Sequence, residues 1–108
     1  MKLQLERHPH AICAVLYEPG ECDRIISVDR ASDAIDALAL DINAAAFTPL
    51  DALFSLPRVV CVEIERRGGG WRVEVAYWSK GLGTLAQYEA EAATLSEALA
   101  RCVWALAR

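Results

Sequence analysis

Two β-rich segments that flank a glycine loop constrain the fold of this chain more than any other feature. Val59–Arg66 and Trp71–Trp78 are rich in β-branched and aromatic residues, and Arg67-Gly68-Gly69-Gly70 joins them. Pairing Arg66 with Trp71 brings the apolar residues of both strands to one face, which a half-buried sheet requires. In this register Val60, Val62 and Ile64 lie opposite Tyr77, Val75 and Val73. We therefore predict a β-hairpin with one buried face.

A third strand and a helix are predicted after this hairpin. Leu85–Ala92 follows an expected turn over Ser79–Thr84 and alternates small or aromatic residues with polar ones, which favours a strand. A helix is the alternative, because alanine and glutamate favour helices. Thr94-Leu95-Ser96-Glu97 is a capping-box pattern that opens a helix running to about Ala107. Its inward stripe comprises Leu95, Ala98, Leu99, Cys102, Val103 and Leu106.

The first half of the chain gives weaker signals. Ala11–Tyr17 is typical of a buried or edge strand, and Ile25–Val28 indicates another extended piece. Ser32 is expected to cap a helix over Asp33–Phe47, which Thr48-Pro49 stops before a further turn over Leu50–Ser55. The expected inward stripe of this helix is Ile35, Leu38, Ile42 and Ala46. We recognise no internal repeat.

Together these elements predict one α+β domain over residues 1–108. The expected architecture is a two-layer sandwich, with an antiparallel sheet of three or four strands and two main helices on one face. The hydrophobic content of 55% exceeds the usual share of about 45–50%, so a core can form. No apolar run approaches the length of about 18 residues that a membrane span needs, and charge and proline precede any apolar stretch at the N-terminus. We expect a cytoplasmic protein.

Catalysis, metal binding and direct nucleic-acid binding are not favoured by the residues. The only histidines, His8 and His10, lie near the N-terminus, and with Cys13 or Cys22 they match no structural zinc spacing. The glycine loops lack the helix and the Lys-Ser/Thr pair of a phosphate site. The net charge of −4 shows no concentrated basic face. We expect no cofactor and no metal, and we interpret the cysteines mainly as free buried thiols.

Three surfaces are candidates for protein binding. The first lies on the outer sheet face, where Val59, Trp78 and Leu85 should cluster beside glutamates. The second is the outward side of the last helix, with Arg101, Trp104 and Arg108. The third is the first helix, where Leu40 and Phe47 lie off the inward stripe beside Asp33 and Asp36. The sheet face could instead be covered by the N-terminal segment, and Leu40 and Phe47 could be buried by a neighbouring loop or strand. The cluster on the last helix also fits a cation–π surface cluster within the monomer. So short a chain cannot cover all three surfaces.

The C-terminal half resembles the small phage proteins called phage ABA-sandwich domains. The resemblance rests on Trp71–Trp78 and on Ala90–Leu106, where a small-residue strand leads into T-x-x-E-A-x-x-x-C-x-x-A-L. It implies a phage-derived binding protein without a cofactor, located in the bacterial host cytoplasm. The same topology resembles a double-stranded-RNA-binding domain, but Thr94–Glu97 holds no base where that family carries lysines.

Three functions follow as expectations. The first is a protein-binding module that occludes a host protein or protein–nucleic-acid complex, as an anti-CRISPR-like inhibitor of bacterial defence. The second is a nucleic-acid-binding domain of double-stranded-RNA-binding-like fold that uses five basic residues, Arg58, Arg66, Arg67, Arg72 and Lys80. The third is a homodimer or larger homo-oligomer with Trp78 or Trp104 at its seam.

Overall fold

The protein has an α+β architecture built on one open antiparallel sheet. The computed structural model describes residues 1–81 and 83–108. The described residues form six strands: β1 (Lys2–Arg7), β2 (Ile12–Tyr17), β3 (Arg24–Val28), β4 (Val59–Arg67), β5 (Gly70–Trp78) and β6 (Leu85–Ala92). The helices are α1 (Asp33–Ala37), α2 (Phe47–Ser55) and α3 (Leu95–Leu106), and a 3-10 turn at Ala44–Ala46 precedes α2. The strand order is β3-β2-β1-β4-β5-β6.

The sheet is wider than the three or four strands predicted, because it has six. The unpredicted strand is β1, which pairs with β2 on one side and with β4 on the other. Its Leu3 and Leu5 are both 0% exposed. Only two apolar residues alternate with charged and amide ones in this segment, so the sequence signal is short although the strand is central.

The central hairpin has the predicted register with one correction at its open end. Arg66 pairs with Trp71, Ile64 with Val73 and Val62 with Val75. A β-bulge between Val59 and Cys61 then shifts the register, so that Val59 pairs with Tyr77. Val59 is therefore only 1% exposed, and its expected place on the outer face was wrong. A bulge reverses the in–out alternation on one side of itself, and nothing in the apolar pattern marks its position.

The predicted helix over Asp33–Phe47 is wrong, because α1 ends at Ala37. The amide of Leu40 donates to the carbonyl of Ile35, and the amide of Ala39 donates to that of Asp36, both at 3.0 Å. With Ala39 at φ 52°, these bonds form a Schellman motif. Glycine usually occupies this left-handed position, so an alanine there gives no stop signal. Thr48-Pro49 lies inside α2 and does not end a helix.

The prediction that the Ser32 side chain caps α1 is wrong, because that side chain makes no capping hydrogen bond. It is 6% exposed, and its hydroxyl donates to Asp51 Oδ2 at 2.6 Å. The amide of Ser32 donates to the other carboxylate oxygen of Asp51 at 2.9 Å. The serine therefore ties the start of α1 to α2.

The last third of the chain agrees with the sequence prediction. Leu85–Ala92 is a strand, paired along its whole length with β5. Thr94 accepts a hydrogen bond from the Glu97 amide at 3.3 Å, as in the expected cap, and α3 ends at Leu106. The expected stripe of α3 is buried except for Val103, which is partly exposed. The predicted turn over Ser79–Thr84 includes Leu82, which lies outside the described residues.

The chain contains an internal repeat that the sequence reading missed. Leu3-Gln4-Leu5-Glu6-Arg7 of β1 corresponds to Val62-Glu63-Ile64-Glu65-Arg66 of β4. Gln4 pairs with Glu63, while Leu3 pairs with Ile64 and Leu5 with Val62, as a two-fold axis through the central pair requires. Ser32-Asp33-Ala34-Ile35 after β3 likewise corresponds to Ser96-Glu97-Ala98-Leu99 after β6. Each of the two units is thus three strands followed by a helix, α1 in the first and the longer α3 in the second, while α2 is an additional helix between the units.

The helices and the core lie on the same side of the sheet. Leu3, Leu5, Val62, Ile64 and Val73 are fully buried and form one cluster with the apolar residues of the helices. Among the described residues, no helix is both long and apolar enough to span a membrane.

Candidate protein-binding surface

The outer face of the sheet is open over the part of the chain that the structure describes. The N-terminal strands extend the sheet sideways and do not cover this face, so the alternative in which they cover it is wrong. Side chains that alternate with the buried ones are exposed or partly exposed on every strand. We call this surface the outer face.

One row of paired residues crosses the outer face and changes character at its centre. The successive pairs join Ile25, Val15, Gln4, Glu63, Glu74 and Glu89. Strands lie about 4.8 Å apart, so this row spans about 24 Å. The half of the face formed by β2 and β3 is apolar except for Ser27, and the half formed by β4, β5 and β6 is mainly acidic. Under the two-fold repeat, Val15 and Ile25 of the first unit occupy the positions that Glu74 and Glu89 occupy in the second unit.

The apolar half is a candidate site that sequence reasoning missed. Ile25 is 68% exposed, and Val15 lies directly opposite it on β2. Cys13 and Tyr17 share this side of β2 and are partly exposed. We define the apolar half by these four residues. A signal was present, since Ile25-Ile26 places one isoleucine on each face of any strand.

The acidic half is organised around one arginine. Arg72, whose side chain is 12% exposed, contacts Glu63 at 3.7 Å and Glu89 at 2.9 Å. It also pairs with Glu74, while Lys2 lies 3.5 Å from Glu63. The hydrogen bond from Arg72 lowers the pKa of Glu89, and the same contact raises the pKa of Arg72. The Glu89 carboxylate is therefore held in its ionised form, which suits charge recognition and not proton donation.

Arg67 and Glu65 form a second pair at the end of the hairpin. The hydrogen bond from Arg67 lowers the pKa of Glu65. This carboxylate, too, is held in its charged form.

Trp78 and Leu85 form a separate apolar corner of the outer face. They lie directly opposite each other across β5 and β6, and they are 49% and 55% exposed. The sequence placed both residues here correctly. Val59, the third member of the predicted cluster, is buried on the other side of the sheet.

The outward side of α3 presents a tryptophan between two arginines. Trp104 is 70% exposed, and the Arg108 guanidinium lies 3.5 Å from the centre of its ring. Arg101 pairs with Glu97 at 2.8 Å and donates to the carbonyl of Glu91 at 2.8 Å. The predicted cluster is therefore both exposed and internally paired.

The third predicted surface does not exist as one helical face. Because α1 ends at Ala37, Leu40 and Phe47 lie beyond it and pack as partly buried residues against the core. Asp33 and Asp36 remain in the first turn of a short helix. The four residues share no common stripe.

The five bases proposed for nucleic-acid binding all have contacts within the chain. Arg72 and Arg67 pair with glutamates, and Arg66 lies 5.4 Å from the Trp71 ring. Arg58 donates to the carbonyl of Leu106 at 2.8 Å, and Lys80 donates to that of Arg108 at 3.1 Å. The five residues therefore do not form one basic face.

The candidate metal ligands are dispersed. The four cysteines are free thiols, of which Cys22 is exposed and Cys102 is buried. Burial raises the pKa of the Cys102 thiol to about 12 and also raises that of Cys61. His8 lies 4.0 Å from Glu6. Over residues 1–81 and 83–108, no group of three or more His, Cys, Asp or Glu side chains is placed to hold a metal ion.

Comparison with known proteins gives no match. No protein-family model, curated protein or solved structure matches this chain.

Proposed function

We propose that this chain is a non-catalytic protein-binding module that docks through the outer face of its sheet. The observation that carries the proposal is the row from Ile25 to Glu89, which joins an apolar patch to an acidic one on a single open surface. Apolar anchors bordered by charge are typical of protein interfaces. The partner is expected to present an apolar spot flanked by basic residues.

The backbone of this surface is rigid, which favours binding. The outer face is carried by six hydrogen-bonded strands, so docking orders few backbone groups. Docking buries the exposed side chain of Ile25 against the partner. The fixed glutamates attract a basic partner and set its position on the outer face. Contacts within the chain already hold Arg72 in place, so the acidic half needs little rearrangement before binding.

Affinity capture with matched variants tests the proposal. The wild-type chain, immobilised through its C-terminus, is exposed to bacterial lysate, and retained proteins are identified by mass spectrometry. Ile25→Lys and Glu89→Lys alter the two halves of the outer face, while Trp104→Ala alters the opposite side of the molecule. We expect both outer-face variants to lower retention of the same partner by about tenfold or more, with little effect of Trp104→Ala. Equal retention by all variants would refute docking on the outer face.

The more specific form of the proposal is a phage-encoded inhibitor of bacterial defence, similar to anti-CRISPR proteins. Its support is the resemblance of the C-terminal half to phage domains and an acidic surface suited to grooves that normally accept nucleic acid. The net charge of −4 is modest, so apolar contacts must supply most of the affinity. Capture of no defence complex, together with unchanged interference in cells that express the chain, would eliminate this form and leave the general one standing.

A further inference from the structure

An open apolar groove lies on the helix side of the molecule, away from the outer face. Its volume is about 830 Å³, and residues of α3 and its C-terminal end, together with residues before and within α2, line it. Ala45, Pro49, Ala100 and Trp104 are among the lining residues. An indole that is 70% exposed beside a groove lined by alanines places a large projection next to a recess of suitable size.

The charges on α3 are arranged with opposite signs at its two ends. Glu97 lies in the first turn, and Arg108 follows the last residue of the helix. Two such helices placed antiparallel bring the acidic end of each to the basic end of the other. The same arrangement opposes the two helix dipoles, which is favourable.

We propose that the occupant of this groove is a second copy of the same chain, docked by antiparallel packing of α3 on α3. A two-fold axis midway between the positions of Arg101 and Trp104 places each Trp104 opposite Arg101 of the second copy, with Ala100 of that copy one residue away. Glu97 of each copy then faces Arg108 of the other, and Arg101 lies beside the indole of the other copy. The same surface thus supplies both the protruding Trp104 side chain and the groove that receives it, as a two-fold interface requires.

The size of the groove sets the strength of this contact. Standard interfaces use about 20–30 residues from each partner, whereas ten residues line this groove. The dimer is therefore expected to be weak, with a Kd in the micromolar range, and to leave both outer faces free. The inference is independent of the proposed function, since it concerns the opposite side of the molecule.

Sedimentation equilibrium of the full chain over micromolar to millimolar concentrations tests the dimer. We expect reversible monomer–dimer association in the wild type and a Kd raised by about tenfold or more in Trp104→Ala. Trp78→Ala, which removes an exposed indole from the outer face, is the matched control and should leave the Kd unchanged. Circular dichroism checks that both variants keep the fold. A wild-type chain that stays monomeric throughout, or one that dimerises equally with Trp104→Ala, overturns the proposal.

Charge reversal tests the antiparallel arrangement itself. Glu97→Arg and Arg108→Glu should each weaken self-association, because like charges then face each other. An equimolar mixture of these two variants restores both attractive pairs and should form a heterodimer at least as tight as the wild type. Glu89→Arg, on the outer face, serves as the control. Failure of the mixture to associate would contradict this geometry, whatever the single variants do.

Discussion

At the scale of single residues, Arg72 determines the electrostatics of the outer face. Its guanidinium contacts three glutamates from β4, β5 and β6, the strands that form the acidic half. Two of these, Glu63 and Glu74, pair directly across strands, where like charges are unfavourable unless a cation lies between them. The arginine thus allows several carboxylates to stay together on one surface.

Replacing Arg72 by methionine should change how stability depends on pH. Glu89 has a lowered pKa in the folded protein, so its contribution is present above the unfolded pKa of about 4.3. That contribution is lost as the pH falls through the lowered folded value. In Arg72→Met the contribution disappears, and repulsion among the glutamates lowers the free energy of unfolding at neutral pH.

Urea titrations between neutral and acidic pH measure this difference. The wild type should lose stability on acidification below about pH 4, whereas Arg72→Met should lose less or gain, because protonation relieves its repulsion. If the free energy of unfolding of the two proteins depended on pH in the same way, Arg72 would not organise the acidic half.

At the scale of elements, Arg7 at the end of β1 fastens α2 to the sheet. Its guanidinium donates to the carbonyls of Val59 at 2.8 Å and Leu56 at 3.2 Å, and also to that of Phe54. Carbonyls at the C-terminal end of a helix lack partners in the helix itself, so an arginine there satisfies them. Arg66 is the equivalent residue of the second unit, and it is exposed beside Trp71.

This difference gives a matched pair of variants. Arg7→Met should lower the free energy of unfolding by about 2 kcal/mol, because it removes the three hydrogen bonds of Arg7 to partly buried carbonyls. Arg66→Met should change it by less than about 0.5 kcal/mol, as expected for an exposed residue. Chemical denaturation of both variants measures the two values. Equal losses of unfolding free energy in the two variants would show that Arg7 does not stabilise the contact between α2 and the sheet.

Some of the strands and helices were predictable from the sequence, and others were not. The hairpin from Val59 to Trp78, the strand Leu85–Ala92 and α3 were predictable because each has a long apolar period and a recognisable turn or cap. The end of α1 was not predictable, because its Schellman motif uses Ala39 where glycine is usual. The bulge at Val59 was also hidden, since only pairing with β5 reveals it.

The candidate site was predicted only in part, for a related reason. Trp78, Leu85 and Trp104 were found because large apolar residues on polar faces are conspicuous in a sequence. The apolar half around Ile25 was missed, because its exposure depends on where β1 and β2 join the sheet. That placement depends on contacts between distant parts of the chain, which a local pattern does not encode.

At the scale of the whole molecule, the two-fold arrangement of the strands accounts for the width of the sheet, and its two halves differ on the outer face. Two βββα units meet at the pair Gln4–Glu63, so both units contribute to one continuous outer face. The equivalent positions at the centre of the sheet are apolar in both units, where Leu3 and Leu5 correspond to Val62 and Ile64, because both pack against the same core. The outer positions differ, with Val15 and Ile25 in the first unit and Glu74 and Glu89 in the second. The proposed binding through the outer face depends on this contrast.

The most direct test of binding through the outer face is site-specific photo-cross-linking in bacterial lysate. A photoreactive phenylalanine analogue replaces Ile25 in one variant and Ala37, an exposed residue on the helix side, in another. We expect the probe at position 25 to form an adduct with one discrete protein, and the probe at position 37 to form none with that protein. Equal adducts from both positions, or no adduct from position 25, would contradict binding through the outer face.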